Sequence, residues 1–168
     1  MGIRYYAYAF DDDMTERAFA DPLCILSDDP LADAWGLVPG AAESPVTGQP
    51  RVPPRDMLYL DKAWPLLQSL TAPDGAARPA HRMFEGEVRM HAEGWDPWIR
   101  TLSPEEIPAI ARDLAGIDES QVSACVDRIA PGLRRAGDLE YAREYLRRAQ
   151  RFVTDLAAEH RGMVYQIG

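Results

Sequence analysis

The sequence predicts a single α+β domain spanning residues 1–168, a small mixed or antiparallel sheet that contains the first and last strands and packs against several helices. Three observations predict it. The chain opens on one β-forming run, IRYYAYAF, and closes on another, MVYQI. Between them lie capped stretches with apolar residues at helical spacing. At 168 residues and 46% apolar, the chain is long enough for one substantial core and lacks the low hydrophobicity of a disordered protein.

Taken in order, residues 3–10 alternate Tyr6, Tyr8 and Phe10 against Tyr5, Ala7 and Ala9, the period of a strand packed on at least one face. Asp13 and Glu16 form a D-x-x-E capping pattern, which predicts a short helix ending before Pro22. In SDDPLADAW, Asp28 or Asp29 can cap a second helix, with Pro30 in the first turn, where no hydrogen bond is lost. Residues 37–56 hold five prolines and two glycines and exclude a regular element. A stretch of this kind inside a domain is either a packed functional loop or a mobile one. MLYL then reads as a short buried strand feeding a helix that opens at Asp61.

PDG marks a turn, and residues 81–102, HRMFEGEVRMHAEGWDPWIRTL, show no assignable period. Ser103 and Glu106 form the capping box S-x-x-E ahead of a helix with Ile107, Ile110, Ala111 and Leu114 on one face. Another helix runs from about Asp118 to Ile129, stopped by Pro131-Gly132. The longest begins near Asp138, carries Ala142, Tyr145, Ala149, Phe152 and Leu156 at helical spacing, and ends with Gly162 as its C′ residue.

The net charge of -9 is spread along the chain, with 12 acidic and 7 basic residues up to Phe84 and 15 and 11 after it. Nucleic-acid binding needs clustered Lys and Arg. The nearest approach, Arg143, Arg147, Arg148 and Arg151, is interleaved with acids and reads as a solvated helix face. The acidity favours a basic partner, or simply solubility. No apolar signal core precedes Asp11, and no run approaches the ~18 apolar residues of a membrane helix, so a soluble, cytoplasmic product is expected. Cys24 and Cys125 have no metal-ligand spacing and read as reduced, packed thiols.

Five residues are candidates for binding: Asp61, Lys62, Trp95, Trp98 and Arg100. Asp61 sits where an N-cap belongs, facing the positive end of a helix dipole. Lys62 is the lone lysine beside 17 arginines, and an ammonium differs from a guanidinium in being compact and able to lose its proton when buried. Trp64 packs into the core beside Leu67. Trp95 and Trp98 serve as core anchors or line a pocket or interface, with core anchoring the simpler assignment. Arg100 can pair with a carboxylate such as Asp96 or reach for an anionic ligand.

The Asp11-Asp12-Asp13 triplet and the Asp28-Asp29 pair lack the spacing of a calcium loop and read as helix caps. His81, His91 and His160 form no zinc motif, so no metal and no cofactor are expected. No serine lies in a G-x-S-x-G elbow, no glycine loop cradles phosphate, and no catalytic residue is assigned.

Four features make the chain resemble the YfbM-like family of small bacterial proteins, catalogued as a domain of unknown function. They are MG followed at once by a strand, LYLDKAW, IRTLSPEEIPAIARDL, and a long final helix followed by G-x-x-V-x-x-I. Residues 11–54 are longer and richer in Pro and Asp than the family pattern, and Pro65 departs from it. The resemblance implies a fold and carries no settled activity. The first expectation for function is a non-enzymatic binding protein that uses its acidic surface and the Trp95 to Arg100 segment to engage a basic protein partner, an immunity-type factor being one form. The alternative is a small-molecule sensor or enzyme with a pocket near the Asp61-Lys62 helix start.

Overall fold

The computed structural model describes residues 2–38, 49–129 and 135–168, with the backbone alone for Arg135 and Ala136. Its elements run β1 (Tyr5–Phe10), α1 (Thr15–Ala20), α2 (Pro30–Trp35), β2 (Met57–Asp61), α3 (Trp64–Thr71), β3 (Arg89–His91), β4 (Gly94–Asp96), β5 (Trp98–Leu102), α4 (Ile107–Ala115), α5 (Glu119–Ile129), α6 (Arg135–Glu159) and β6 (Gly162–Ile167). Four strands form an antiparallel sheet in the order β2-β1-β6-β5, and β3 and β4 form a separate hairpin. The terminal strands are therefore central neighbours, paired from Tyr5 with Ile167 to Phe10 with Gly162.

Strand alternation sends the side chains of β1 to two different cores. Tyr5 and Ala7 join Leu58, Leu60, Leu102, Met163 and Tyr165 beneath α3 to α6, which supply Leu67, Ile110, Val126, Phe152 and Leu156. Tyr6 and Tyr8 pack with Met57 on the opposite face, and Phe10 packs with Val164. Ala18, Ile25, Leu26 and Ala34 from between β1 and β2 cover that side.

Asp29 caps α2 by accepting from the Ala32 N–H at 3.0 Å. Gly36, at φ 65, closes that helix while Leu37 N–H bonds back to Ala32. The Asp13-Glu16 cap does not form. Asp12–Met14 make a 3₁₀ turn that runs directly into α1, so backbone carbonyls take the amides the cap was expected to hold. Glu106 closes its half of the predicted box on the Ser103 N–H at 2.9 Å. Asp118 and Gln121 exchange the reciprocal pair of bonds ahead of α5.

Gly162 is not the C′ residue of α6. His160 holds the left-handed position at φ 52, and Arg161 N–H bonds to Leu156 O at 2.9 Å, the Schellman closure. Gly162 instead opens β6 where a Cβ would lie 2.7 Å from the Leu102 carbonyl and inside the Phe10 ring, so packing demands a glycine there.

Of the Pro-rich 37–56 stretch, residues 39–48 lie outside the described residues, as does the Pro131-Gly132 stop. Residues 53–57 form a turn in which Pro53 O accepts from Asp56 and Met57. Cys24 and Cys125 are both free thiols. Among the described residues, no helix is long and apolar enough to cross a membrane.

Candidate binding groove at the β2 edge

Asp61 ends β2 with φ 47, where the pairing with β1 also slips register between Tyr5 and Tyr6. It does not cap α3. Ala63 occupies that position without a side-chain bond, and the Asp61 carboxylate is held by three other donors. Oδ1 accepts from Arg4 Nε at 3.0 Å and the Tyr59 hydroxyl at 2.8 Å, and Oδ2 accepts from the Tyr141 hydroxyl at 3.0 Å. Tyr141 in turn accepts from the Lys62 backbone N–H at 3.3 Å. The carboxylate thus joins the chain ahead of β1, β2 itself and α6.

Burial pushes the Asp61 carboxyl upward, but the bonds from Tyr59, Tyr141 and Arg4 outweigh it and hold the group below its usual range. Burial and the same carboxylate push Tyr59 and Tyr141 well above the ordinary phenol value. These groups keep fixed protonation states near neutrality, which suits a structural and electrostatic role. Lys62 is exposed, its stem so close over Gly2 that a Cβ there would lie 2.8 Å from Lys62 Cε.

Beside this cluster, a groove of about 860 Å3 runs between β2 and α6. Met57, Leu58 and Phe152 give it an apolar base, while Trp35, Tyr59 and Tyr145 supply aromatic walls. Pro50, Val52 and Pro54 border it, and Arg147, Arg148 and Arg151 line the α6 side. Trp35 lies near the Tyr59 hydroxyl, and the Arg4 guanidinium lies 5.7 Å from the Trp35 ring, which places this wall beside Asp61.

The three arginines are not equivalent. Arg147 pairs with Glu140 at 3.0 Å, and Arg148 pairs with Glu144 at 2.8 Å while lying 5.0 Å from the Tyr145 ring. Arg151 makes no hydrogen bond or ion pair among the described residues. Its field adds to the Arg148 hydrogen bond and the fields of Arg148 and Arg147 in holding the groove-lining Glu144 carboxyl below its usual range. The solvated-face reading of this stripe overlooked the groove. Tyr145, Arg148 and Phe152 share a helix face, but only the approach of β2 turns that face into a groove wall.

Of the other three candidates, Trp98 and Arg100 lie on β5 at the opposite edge of the sheet, with β1 and β6 between, and Trp95 lies on β4 in the separate hairpin. Trp95 and Trp98 are each 37% exposed, so neither is the core anchor expected of it. Trp98 lies against Gly86, at φ 131, where a Cβ would come within 2.6 Å of the indole, and near the Tyr165 hydroxyl. Trp95 faces Met90 across the β3–β4 hairpin. Arg100 pairs with Glu85, not Asp96. Asp96, carried on the hairpin, faces His91 at 3.6 Å instead. The Trp64 expectation fares better, as it packs at the margin of the main core.

These features define a small α+β domain with an aromatic and arginine-lined groove along one edge of its sheet. The chain belongs to the family described as domain of unknown function (DUF1877), whose model matches residues 1–165. Its fold is similar to that of YfbM from Escherichia coli, a protein of unknown function. The two chains share 13% identity with a TM-score of 0.56, over 99% of this chain and 100% of that one. Comparison with curated proteins gives no match.

Proposed function

We propose that this protein is a non-enzymatic binding protein whose β2–α6 groove takes a small amphipathic acid, a flat or aliphatic body carrying a carboxylate, sulfonate or phosphate. The observation that carries the reading is Arg151, a guanidinium with no hydrogen bond or ion pair among the described residues and only the more distant field of Glu144, beside Trp35, Tyr59 and Tyr145 in a chain of net charge -9. A cation left open beside aromatic and aliphatic walls complements an anionic head on an apolar body. The volume also falls in the range of ligand pockets, about 300–1,000 Å3. Lys62 and Arg100 do not converge on the groove, so the reading differs from a site built on those two cations.

The test is titration of the folded protein with 8-anilinonaphthalene-1-sulfonate, an aromatic acid whose fluorescence reports burial. Trp35→Ala and Arg151→Ala should each weaken binding at least about tenfold, roughly the worth of a charge-assisted contact. Trp98→Ala should leave it unchanged. Binding that survives both groove variants contradicts the proposal.

A second reading rests on the hairpin, where Met90 is 68% exposed beside Trp95, with Trp98 nearby on β5. Exposed Met and Trp are residue types suited to a protein interface, and the surrounding acidity suits a basic partner, as an immunity-type protein would require. Loss of capture of such a partner in Trp95→Ala, with no change in Arg151→Ala, would favour this reading over the groove.

A further inference from the structure

We propose that Asp12, Glu105 and His160 form a binding site for a divalent transition-metal ion of the Zn2+ class, at the rim of the sheet where three neighbouring strands end. The register brings them together. Phe10 at the end of β1 pairs with Gly162 at the start of β6, and Met163 pairs with Leu102 at the end of β5. The residues just beyond β1, just beyond β5 and just before β6 therefore emerge side by side. One ligand atom from each of Asp12, Glu105 and His160 lies within 4.8 Å of the others, and His160 Nε2 is 3.8 Å from Asp12 Oδ2.

A tetrahedral ion with ligands at about 2.0–2.2 Å needs them roughly 3.4 Å apart, so the three exposed side chains must draw in from spacings of up to 4.8 Å. Its backbone is fixed: His160 occupies the left-handed position after α6. Next to it, Arg161 is held by Asp11 at 2.8 Å and Asp56 at 2.9 Å. That engagement directs a nearby cation to Asp11 and leaves Asp12 facing the imidazole. Two carboxylates balance the charge of a dication, and one imidazole nitrogen selects a transition metal over Mg2+ or Ca2+. Three protein ligands on an open rim leave further positions for water. Local motifs could not reveal the set, because its members lie at positions 12, 105 and 160 and the capping expected of the Asp triplet does not form.

The test is calorimetric titration of the chelator-stripped full chain with ZnCl2, with thermal melts alongside. The expected result is one equivalent bound and a higher melting temperature with Zn2+. Asp12→Asn, Glu105→Gln and His160→Asn should each lower the affinity at least about tenfold, the loss ordinarily seen even for outer-shell partners of a metal. Each should also abolish the Zn2+-dependent rise in melting temperature while leaving the metal-free melt close to the parent's. Asparagine is chosen at position 160 because it tolerates the left-handed backbone. No binding by the parent, binding unchanged in all three variants, or binding abolished by Cys24→Ser alone overturns the proposal.

Discussion

The β2 and β5 edges of this sheet carry similar residues, tryptophan, arginine and a carboxylate, and use them differently. At the β5 edge, Arg100 pairs with Glu85, and Trp98 covers Gly86 and lies near Tyr165, whose hydroxyl bonds to Arg82 O and Glu85 O. These groups fasten the strand to the 79–86 segment. At the β2 edge, Asp61 performs a comparable fastening with Arg4, Tyr59 and Tyr141, yet Trp35, Tyr145 and Arg151 still face the groove. Residue types enriched in binding hot spots thus point to recognition only after their internal partners have been counted.

The largest contrast should come from Asp61. Asp61→Ala should cost about 2–4 kcal/mol, because it strips three donors of a charged acceptor and puts a Cβ-bearing residue without a polar side chain at positive φ. Asp61→Asn should cost about half as much, since Asn tolerates that backbone and retains one acceptor. Denaturant melts that gave both variants the parent's stability would remove the fastening role. The sign with pH follows from the lowered carboxyl. Its stabilisation is complete above the ordinary carboxylate value of about 4 and is lost as pH falls through the lower folded value. The gap between parent and Asp61→Asn should therefore be wide at neutral pH and close on acidification below about pH 4.

Next in size is Trp98→Ala, expected at about 1–2 kcal/mol, below the 3–5 of a fully buried aromatic, because the ring is 37% exposed. A loss in the core range would make the β5 edge part of the core. Arg100→Ala should cost about 1 kcal/mol or less and lose part of that effect in high salt, as expected of a partly exposed ion pair. Smallest of all are Lys62→Arg and Arg151→Ala, each within about 0.5 kcal/mol of the parent. A larger loss in Lys62→Arg would mean that the ammonium is needed in a tight site.

The sequence revealed elements whose signals are local. Strands β1, β2 and β6 and the helices from Ser103 onward were legible because alternation, caps and helical spacing lie within a few residues. Residues 81–102 were not, because β3 and β4 are three residues each and all but Gly94 are exposed, too short for a period to emerge. Asp61 was legible as important but misassigned. An aspartate ahead of a helix is a cap by local rule, whereas its Arg4 and Tyr141 donors lie 57 and 80 residues away. The groove needed β2 and α6 brought together, and the stripe on α6 alone had the pattern of a solvated face.

The proposed placement of recognition at the β2 edge and not the β5 edge can be tested directly, because the four tryptophans report on both. Nuclear magnetic resonance of the 15N-labelled chain resolves one indole N–H for each of Trp35, Trp64, Trp95 and Trp98, assigned by single substitutions. On titration with 8-anilinonaphthalene-1-sulfonate, the Trp35 signal should shift in proportion to occupancy while those of Trp95 and Trp98 stay in place. Shifts at Trp95 and Trp98 with a stationary Trp35 would contradict the claim.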